Sequence, residues 1–138
     1  PHRAEPVGEI GGVRYVNDSK ATNLSAMIAS IRMQDRPVWL IAGGRPKETD
    51  FSAAVPVLRE RVRGAFLIGE ASAAMEAAWG AVLPCEICGT LDRAVAAARR
   101  AARPGDAVLM APACTSYDQF RAYGERGEAF RKFALEKG

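Results

Sequence analysis

Three short polar segments carry most of the residues in this sequence that can bind a ligand. Each follows an apolar run, and they comprise Asp18-Ser19-Lys20-Ala21-Thr22-Asn23, Gly43-Gly44-Arg45-Pro46-Lys47 and Pro112-Ala113-Cys114-Thr115-Ser116-Tyr117-Asp118. Lysine ammonium groups, side-chain hydroxyls and the backbone N–H groups at helix starts are the donors that proteins use to bind phosphate and carboxylate. The residue types therefore favour an anionic ligand, provided that the fold brings the three segments together.

The predicted secondary structure places these segments at one edge of a sheet. Apolar runs at 7–10, 13–16, 38–42, 65–68, 85–88 and 107–111 predict six strands, and Gly11-Gly12 predicts a hairpin between the first two. Helical periodicity predicts helices between the later strands and a last helix that ends near Glu136. Continuous apolar strands joined by helices are typical of a parallel sheet covered on both faces, which binds ligands at the carboxyl ends of its strands. We therefore expect a mostly parallel α/β sheet with one antiparallel strand from the N-terminal hairpin.

The sequence also predicts how two of the helices begin. The helix after the third strand is predicted to extend through Val62, with Ser52 as its cap and Pro56 in the first turn, where proline is tolerated. Thr90 is predicted to cap a later helix with Asp92 in its first turn, where a carboxylate is favoured.

The composition indicates a single soluble domain spanning residues 1–138. A hydrophobic content of 49% and a charged content of 25% are ordinary for a globular protein of 138 residues. The net charge is +3, but lysine and arginine are interleaved with acidic residues, so no nucleic-acid partner is expected. No apolar run approaches the roughly 18–20 residues of a membrane span, so no membrane association is expected either. Because the chain begins Pro1-His2-Arg3 without a methionine, we expect it to be part of a longer protein.

The three cysteines predict a reducing, cytoplasmic location and no metal site. An odd cysteine count without secretory features is typical of an intracellular chain. Cys85 and Cys88 have the C-x-x-C spacing of redox and zinc sites, but they lie in a predicted strand, where positions three apart point to opposite faces. We therefore expect two inert thiols that behave as small apolar side chains.

Each polar segment also has an interpretation that needs no ligand. These alternatives are a helix cap at Asp18, Thr22, Asn23 or Ser116, a tight turn at Gly43-Gly44, and solvated surface lysines at Lys20 and Lys47. A Ser-His-Asp triad using Ser116 and His2 is disfavoured, because Ser116 is not in a nucleophile elbow. What favours an anion site is the joint occurrence of these residues on one predicted sheet edge.

Four motifs make the sequence similar to the carboxy-terminal domain of the Mur ligases. They are His2-Arg3, Asn17-Asp18-Ser19-Lys20-Ala21-Thr22-Asn23, Gly43-Gly44-x-x-Lys47 with Asp50-Phe51-Ser52, and Pro112-Ala113-Cys114-x-Ser116-x-Asp118-Gln119-Phe120. The resemblance covers essentially the whole chain, with the motifs in the family's order. More narrowly, the sequence resembles the members that add D-glutamate, and it lacks the Asp-Asn-Pro-Arg motif of the diaminopimelate-adding relatives.

The resemblance implies a Rossmann-like, three-layer α/β fold and an ATP-dependent amide ligase of peptidoglycan synthesis. In such enzymes ATP with Mg²⁺ activates the carboxylate of UDP-N-acetylmuramoyl-L-alanine as an acyl phosphate, which the amine of D-glutamate then attacks. The implied partners are these substrates together with a central ATPase domain and an N-terminal UDP-binding domain of the same monomeric chain. The metal is held mainly by the central domain, so the isolated domain is expected to fold without ligating.

The resemblance also implies a role for each matching residue. Arg3 and Asp18 correspond to nucleotide contacts, toward the phosphates and the ribose, and Lys20 corresponds to the catalytic lysine near the reacting phosphate. The residues implied to hold D-glutamate are Thr22, Lys47, Ser116, Tyr117 and Tyr123.

Two other functions remain compatible with the residues. One is a non-catalytic domain that binds a nucleotide or a phosphorylated metabolite. The other is a related amino-acid ligase, such as a folylpolyglutamate synthase, which would prefer L-glutamate.

Overall fold

The computed structural model describes residues 2–136 and confirms the predicted order of strands and helices. The strands are β1 Glu5–Ile10, β2 Val13–Asn17, β3 Val38–Gly43, β4 Val62–Ile68, β5 Cys85–Gly89 and β6 Ala107–Met110. The helices are α1 Leu24–Arg32, α2 Val55–Arg61, α3 Ser72–Trp79, α4 Leu91–Ala101 and α5 Tyr123–Leu135.

The strands form one six-stranded sheet in the order β1-β2-β6-β3-β4-β5. β1 pairs with β2 in the antiparallel sense, and the other neighbouring strands pair in parallel. Gly11 and Gly12 join β1 to β2 with φ angles of 61° and 78°, the positive values that a two-residue hairpin of this hand requires. The predicted mostly parallel sheet with one antiparallel hairpin strand is therefore confirmed.

Two apolar clusters cover the two faces of the sheet and give the domain three layers. Met27, Leu58 and Trp79 bring α1, α2 and α3 onto one face. Val95 and Phe130 bring α4 and α5 onto the other face. Within residues 2–136, no helix has the length and apolar character that a membrane span requires.

The two cysteines of β5 lie on opposite faces, as the strand periodicity predicts. Cys85 packs against the α1–α3 cluster, whereas Cys88 belongs to the α4–α5 cluster. Burial raises the pKa of both thiols, and the nearby Glu86 carboxylate helps to raise that of Cys88 to about 11. Both thiols are therefore protonated at neutral pH, in the form that is a poor nucleophile and metal ligand.

The predicted boundaries of the helix that contains Pro56 are wrong at both ends. Ser52 is not the cap: it opens a short 3₁₀ turn, and its N–H donates to the Asp50 carboxylate at 2.9 Å, because a side chain two residues ahead is well placed for that bond. Val62 is not helical either, since α2 ends at Arg61 and Val62 begins β4. Pro56 does lie in the first turn of α2, as predicted.

Thr90 occupies the cap position of α4, but its hydroxyl makes a different bond from the predicted one. The hydroxyl donates to the Asp92 carboxylate at 2.6 Å rather than accepting from the first turn of the helix. The carboxylate thereby lies beside the helix N-terminus, where the helix dipole favours negative charge.

Asp106 closes the turn before β6 from a buried position. Its Oδ2 accepts hydrogen bonds from Trp39 Nε1 at 2.9 Å and from the Arg103 N–H at 3.0 Å. Burial alone would raise the pKa of this carboxyl, but these bonds and the charges of Arg63 and Arg103 outweigh it and hold the pKa below its ordinary value. Because its folded pKa lies below its unfolded pKa of about 4, the carboxylate stabilises the fold at pH values above about 4. This stabilisation is lost as the pH falls through the folded pKa.

Replacing Asp106 with alanine is expected to lower the free energy of unfolding near neutral pH by about 1–3 kcal/mol, because the part-buried bonds from Trp39 Nε1 and the Arg103 N–H are lost. The loss should shrink in acid, where the wild-type carboxylate is protonated. Urea denaturation at neutral and acidic pH measures both effects. Asp35→Ala is the matched control, since that carboxylate pairs with Arg14 at the surface and contributes little. Equal losses in the two variants would contradict the role assigned to Asp106.

Candidate functional site

The carboxyl ends of β2, β6 and β3 lie side by side in the middle of the sheet. β2 leads into α1 on one face, whereas its neighbour β6 leads to α5 on the other face. Such a reversal opens a crevice at the sheet edge, which is where open α/β sheets bind ligands. The crevice is bounded by the β2 loop (18–23), the β3 loop (44–50) and the β6 loop (111–122).

Backbone hydrogen bonds tie the β6 loop to the other two loops. The N–H of Ala113 donates to the carbonyl of Ala21 in the β2 loop at 2.8 Å. Arg45 of the β3 loop and Thr115 exchange two N–H···O bonds of 3.0 Å in an isolated antiparallel bridge. The three polar segments therefore meet at one edge, as the sequence predicts.

Gly43 and Gly44 permit this close approach of the loops. Their φ angles are 128° and 124°, a region that residues with a Cβ rarely adopt. A Cβ at Gly43 would overlap the backbone of Ile68, and one at Gly44 would overlap the Thr115 carbonyl. The glycines therefore serve a close approach of backbones, since Gly43 ends β3 and Gly44 precedes the bridge between Arg45 and Thr115.

Arg126 on α5 is a buried cation at the centre of the crevice, with 1% of its surface exposed. Its Nε donates to Ser19 Oγ at 2.9 Å, its Nη2 to the Ser19 carbonyl at 2.7 Å, and its Nη1 to the Cys114 carbonyl at 3.0 Å. Ser19 Oγ in turn donates to the Tyr123 carbonyl at 2.6 Å. Burial lowers the pKa of Arg126 to about 10, so the guanidinium remains charged at neutral pH. One side chain thus joins the β2 loop, the β6 loop and the start of α5.

Sequence reasoning missed Arg126, because it lies among charged residues that resemble a solvated helix face. The next residue, Gly127, could have indicated close packing at this position, because a glycine inside a helix is unfavourable unless packing requires it. A Cβ at Gly127 would overlap the His2 ring and crowd the Asn17 amide. The glycine therefore lets the N-terminal segment pack against α5, and the His2 carbonyl then accepts a 3.0 Å bond from the Lys20 N–H.

The first of two pockets lies between the β2 loop and α1, and we call it the Asp18 pocket. It encloses about 220 Å³. The charged residues Arg3, Asp18 and Lys20 line it together with residues of α1. The pocket thus brings together the three residues predicted to contact the nucleotide and its phosphates, and their ligand stays a prediction.

The second pocket, which we call the Lys47 pocket, lies between the three loops and the first turn of α5. It encloses about 230 Å³ and is lined by Thr22, Lys47, Thr115, Ser116, Tyr117 and Tyr123. All five residues predicted to hold the amino acid are therefore together, and Thr115 joins them. Lys20 Nζ lies 5.7 Å from the centre of the Tyr123 ring, so the lysine of one pocket contacts the wall of the other.

Asn23 is the cap of α1, which leaves Asp18 and Thr22 available to the two pockets. Asn23 Oδ1 accepts from the Ala26 N–H at 2.8 Å. Glu48 of the β3 loop, which sequence reasoning missed, supplies a second capping oxygen: its Oε1 accepts from the Leu24 N–H at 2.9 Å. The segment 18–23 is thus both a capped turn and part of the crevice.

The end of the β6 loop differs from expectation. Ser116 begins a turn rather than a short helix, because the N–H groups of Gln119 and Phe120 both bond to its carbonyl, at 3.1 and 2.7 Å. Asp118 Oδ2 accepts from the Glu70 N–H at 3.0 Å, so this carboxylate anchors the loop to the turn after β4. Between residues 2 and 136, no group of three or more acidic, cysteine or histidine side chains is arranged to hold a metal ion.

A protein-family model described as "Mur ligase, glutamate ligase domain" matches residues 2–114, most of the chain. The chain belongs to this Mur ligase family. The resemblance drawn from the four sequence motifs is thereby confirmed.

Two curated relatives with high sequence identity to this chain are named for the same ligase activity. The UDP-N-acetylmuramoylalanine–D-glutamate ligase of Nitratidesulfovibrio vulgaris is 51% identical over 131 residues, which is 95% of this Mur ligase domain and 30% of the relative. The enzyme of the same name from Bordetella pertussis is 47% identical and covers 100% of this chain, which matches 28% of that relative. The chain therefore spans less than a third of the length of these relatives.

A solved structure supports the fold independently of close sequence similarity. The folylpolyglutamate synthase/dihydrofolate synthase of Yersinia pestis, solved with AMPPNP and a manganese ion, superposes on 98% of this chain with a TM-score of 0.66 and 14% identity. At that identity the likeness concerns the fold alone. The Rossmann-like α/β architecture of a Mur ligase carboxy-terminal domain is confirmed.

We expect Arg126→Met and Ser19→Ala each to lower the free energy of unfolding by about 1–3 kcal/mol, because each leaves buried polar groups without partners. The double variant should lose less than the sum, with a coupling of about 0.5–3 kcal/mol, since both changes remove the bond between Arg126 Nε and Ser19 Oγ. Urea denaturation of the four proteins measures the coupling. Arg99→Met provides the control: Arg99 bonds to the carbonyls at the far end of α5, and its effect should add to that of Ser19→Ala. Additivity in the Arg126 cycle would contradict the proposed link.

Proposed function

We propose that the chain is the amino-acid-binding, carboxy-terminal domain of an ATP-dependent ligase that joins D-glutamate to UDP-N-acetylmuramoyl-L-alanine in peptidoglycan synthesis. The observation that carries the proposal is the adjacency of the two pockets, with Lys20 lining one and contacting Tyr123 of the other. A ligase needs a nucleotide and an incoming amine side by side. The names of the relatives above support D-glutamate as the amino acid.

The Lys47 pocket suits a small dicarboxylate. Lys47 supplies an ammonium group, and Thr22 and Ser116 supply hydroxyl donors at the same surface. Charge-assisted hydrogen bonds of this kind are the strong ones for carboxylates. Tyr123 offers an aromatic wall against which the methylene groups of the amino acid can pack.

The Asp18 pocket suits a nucleotide. A carboxylate such as that of Asp18 accepts hydrogen bonds from ribose hydroxyls, and the cationic groups of Arg3 and Lys20 suit phosphates. The nucleotide supplies the phosphoryl group that activates the acceptor carboxylate.

The contribution of these side chains would be orientation and charge stabilisation rather than covalent chemistry. Lys47 and Ser116 would hold the carboxylates of the amino acid so that its amine faces the junction of the pockets. Lys20 would stabilise negative charge at that junction, where each donor acts most strongly if it is already in place. Mg²⁺, the acyl substrate and the UDP group would be held by the remainder of the longer protein, and the ligase would act as a cytoplasmic monomer.

A folylpolyglutamate-synthase-like activity is the second candidate, because an ammonium group and hydroxyl donors can bind the carboxylates of either enantiomer of glutamate. Such an enzyme would take L-glutamate, whereas the proposed ligase takes the D enantiomer. Titration with both enantiomers separates the two candidates. A nucleotide-binding domain without ligase activity would respond to neither.

Lys47→Ala and Ser116→Ala are expected to weaken D-glutamate binding in the full-length protein by at least about tenfold, since each removes a charged or hydroxyl donor to a carboxylate. D-Glutamate-dependent release of ADP and phosphate, measured over a range of D-glutamate concentrations, gives the apparent affinity. Lys132→Ala is the matched control, because Lys132 is an exposed lysine in the last turn of α5. If the Lys47 and Ser116 variants behave as Lys132→Ala does, the amino-acid site lies elsewhere.

The isolated chain of residues 1–138 is expected to fold but not to ligate, because the metal and the acyl substrate would be held outside it. Circular dichroism tests the fold, and a phosphate-release assay with ATP, D-glutamate and UDP-N-acetylmuramoyl-L-alanine tests the activity. Substrate-dependent phosphate release from the isolated chain would refute this division of labour.

A further inference from the structure

Hydrogen bonds join the three crevice loops in pairs, and one of these pairings depends on a single side chain. The β6 loop is joined to each of the other two loops by backbone hydrogen bonds. Between residues 2 and 136, no backbone hydrogen bond joins the β2 loop directly to the β3 loop. That link is made instead by Glu48, whose Oε1 accepts from the N–H of Leu24, the first residue of α1, at 2.9 Å.

Glu48 is placed to control the distance between Lys47 and Thr22 across the Lys47 pocket. It follows Lys47 directly in the β3 loop, and its partner Leu24 lies two positions after Thr22. Lys47 is exposed, so packing does not fix its flexible stem, and its reach into the pocket depends on where the backbone of the β3 loop lies. Three loops joined in every pair hold their separations, whereas loss of the Glu48 link leaves the separation of the β2 and β3 loops free to change.

The bond from Glu48 is of a strong kind, although the residue does not touch the pocket. A carboxylate that accepts from a backbone N–H at a helix N-terminus makes a charge-assisted bond, and the helix dipole favours its charge. Glu48 is half-buried and is not among the residues that line the Lys47 pocket. Its effect on a ligand would therefore act through Lys47 rather than through direct contact.

We propose that Glu48 is a positioning residue for the amino acid, because its bond to Leu24 fixes the separation of Lys47 from Thr22. The inference rests on the proposed function, since it assumes that the Lys47 pocket holds the carboxylates of D-glutamate. With this link in place, the ammonium and hydroxyl donors are already arranged before the ligand arrives, so less ordering of the β3 loop is needed on binding.

Two substitutions separate the reach of the Glu48 side chain from its charge, and both are tested in the full-length protein by D-glutamate-dependent phosphate release. Glu48→Gln keeps an acceptor oxygen at the same reach, so the KM for D-glutamate should stay within about twofold of wild type. Glu48→Asp keeps the charge but is one methylene shorter, so it loses the Leu24 bond. Its KM should rise about three- to tenfold, the effect of one net hydrogen bond. The kcat at saturating D-glutamate should change less than about twofold in both variants, because the reacting groups are untouched.

Asp50→Ala is the matched control. Asp50 lies in the same loop, and its carboxylate also accepts a backbone N–H at 2.9 Å, but the donor is its near neighbour Ser52 rather than a residue of another loop. The variant therefore removes a similar bond and a negative charge without separating the loops, and its KM should equal that of wild type. Thermal denaturation checks that every variant folds, which is expected because Asn23 still caps α1.

A double variant tests whether Glu48 acts through Lys47. In the Lys47→Ala background the ammonium group is absent, so Glu48→Asp should change the KM for D-glutamate by less than about twofold. A role confined to the stability of α1 would not produce this dependence, because it would lower the melting temperature equally in both backgrounds.

The outcomes separate the inference from the function on which it rests. A KM raised in Glu48→Gln as much as in Glu48→Asp, a KM unchanged in both, or full additivity with Lys47→Ala overturns the role of Glu48 and leaves the ligase proposal standing. Failure of the wild-type full-length protein to release phosphate in response to D-glutamate overturns both. A rise in KM in Glu48→Asp that Glu48→Gln avoids and that disappears in the Lys47→Ala background supports the assignment.

Discussion

The buried guanidinium of Arg126 is the interaction on which both pockets depend. Burying the Arg126 guanidinium, which is 1% exposed, costs desolvation free energy, and this cost is offset only if its N–H groups find good acceptors. Arg126 takes these acceptors from Ser19 and Cys114, which belong to different loops. The loops are thereby held at a fixed distance from α5, because moving either one would leave a buried charge without its bonds.

The acceptors are carbonyl and hydroxyl oxygens, so they solvate the positive charge without neutralising it. Asp118 acts on Arg126 at longer range, while its own carboxylate bonds to the Glu70 N–H. Arg126 therefore keeps its positive charge beneath the crevice, while Lys20 and Lys47 line the two pockets. Cationic groups held in place by the fold favour anionic ligands.

Local patterns in the sequence predicted the sheet well, because each buried strand is a short continuous apolar run. They failed where two kinds of structure compete for the same residues. Val62 fits a helical repeat after Val55 and Leu58, yet it is the first residue of β4, where it pairs with Val38 of β3. Ser52 and Thr90 illustrate the same limit at helix starts, where each donates to a nearby aspartate instead of making the predicted capping bond.

The sequence by itself determined the α/β class, the hairpin, the polar segments at the strand ends and, through four motifs, the family. It also singled out eight site residues that the structure groups into the two pockets, and their roles stay predictions: Arg3, Asp18, Lys20, Thr22, Lys47, Ser116, Tyr117 and Tyr123. Only the tertiary structure decided that Lys20 touches Tyr123, that one face of α1 completes the Asp18 pocket, and that Arg126 bonds to Ser19 at a separation of 107 positions. The physical reason is that hydrophobic periodicity and capping act within a few residues, whereas a buried polar group finds its partner wherever the folded chain brings one within hydrogen-bonding distance.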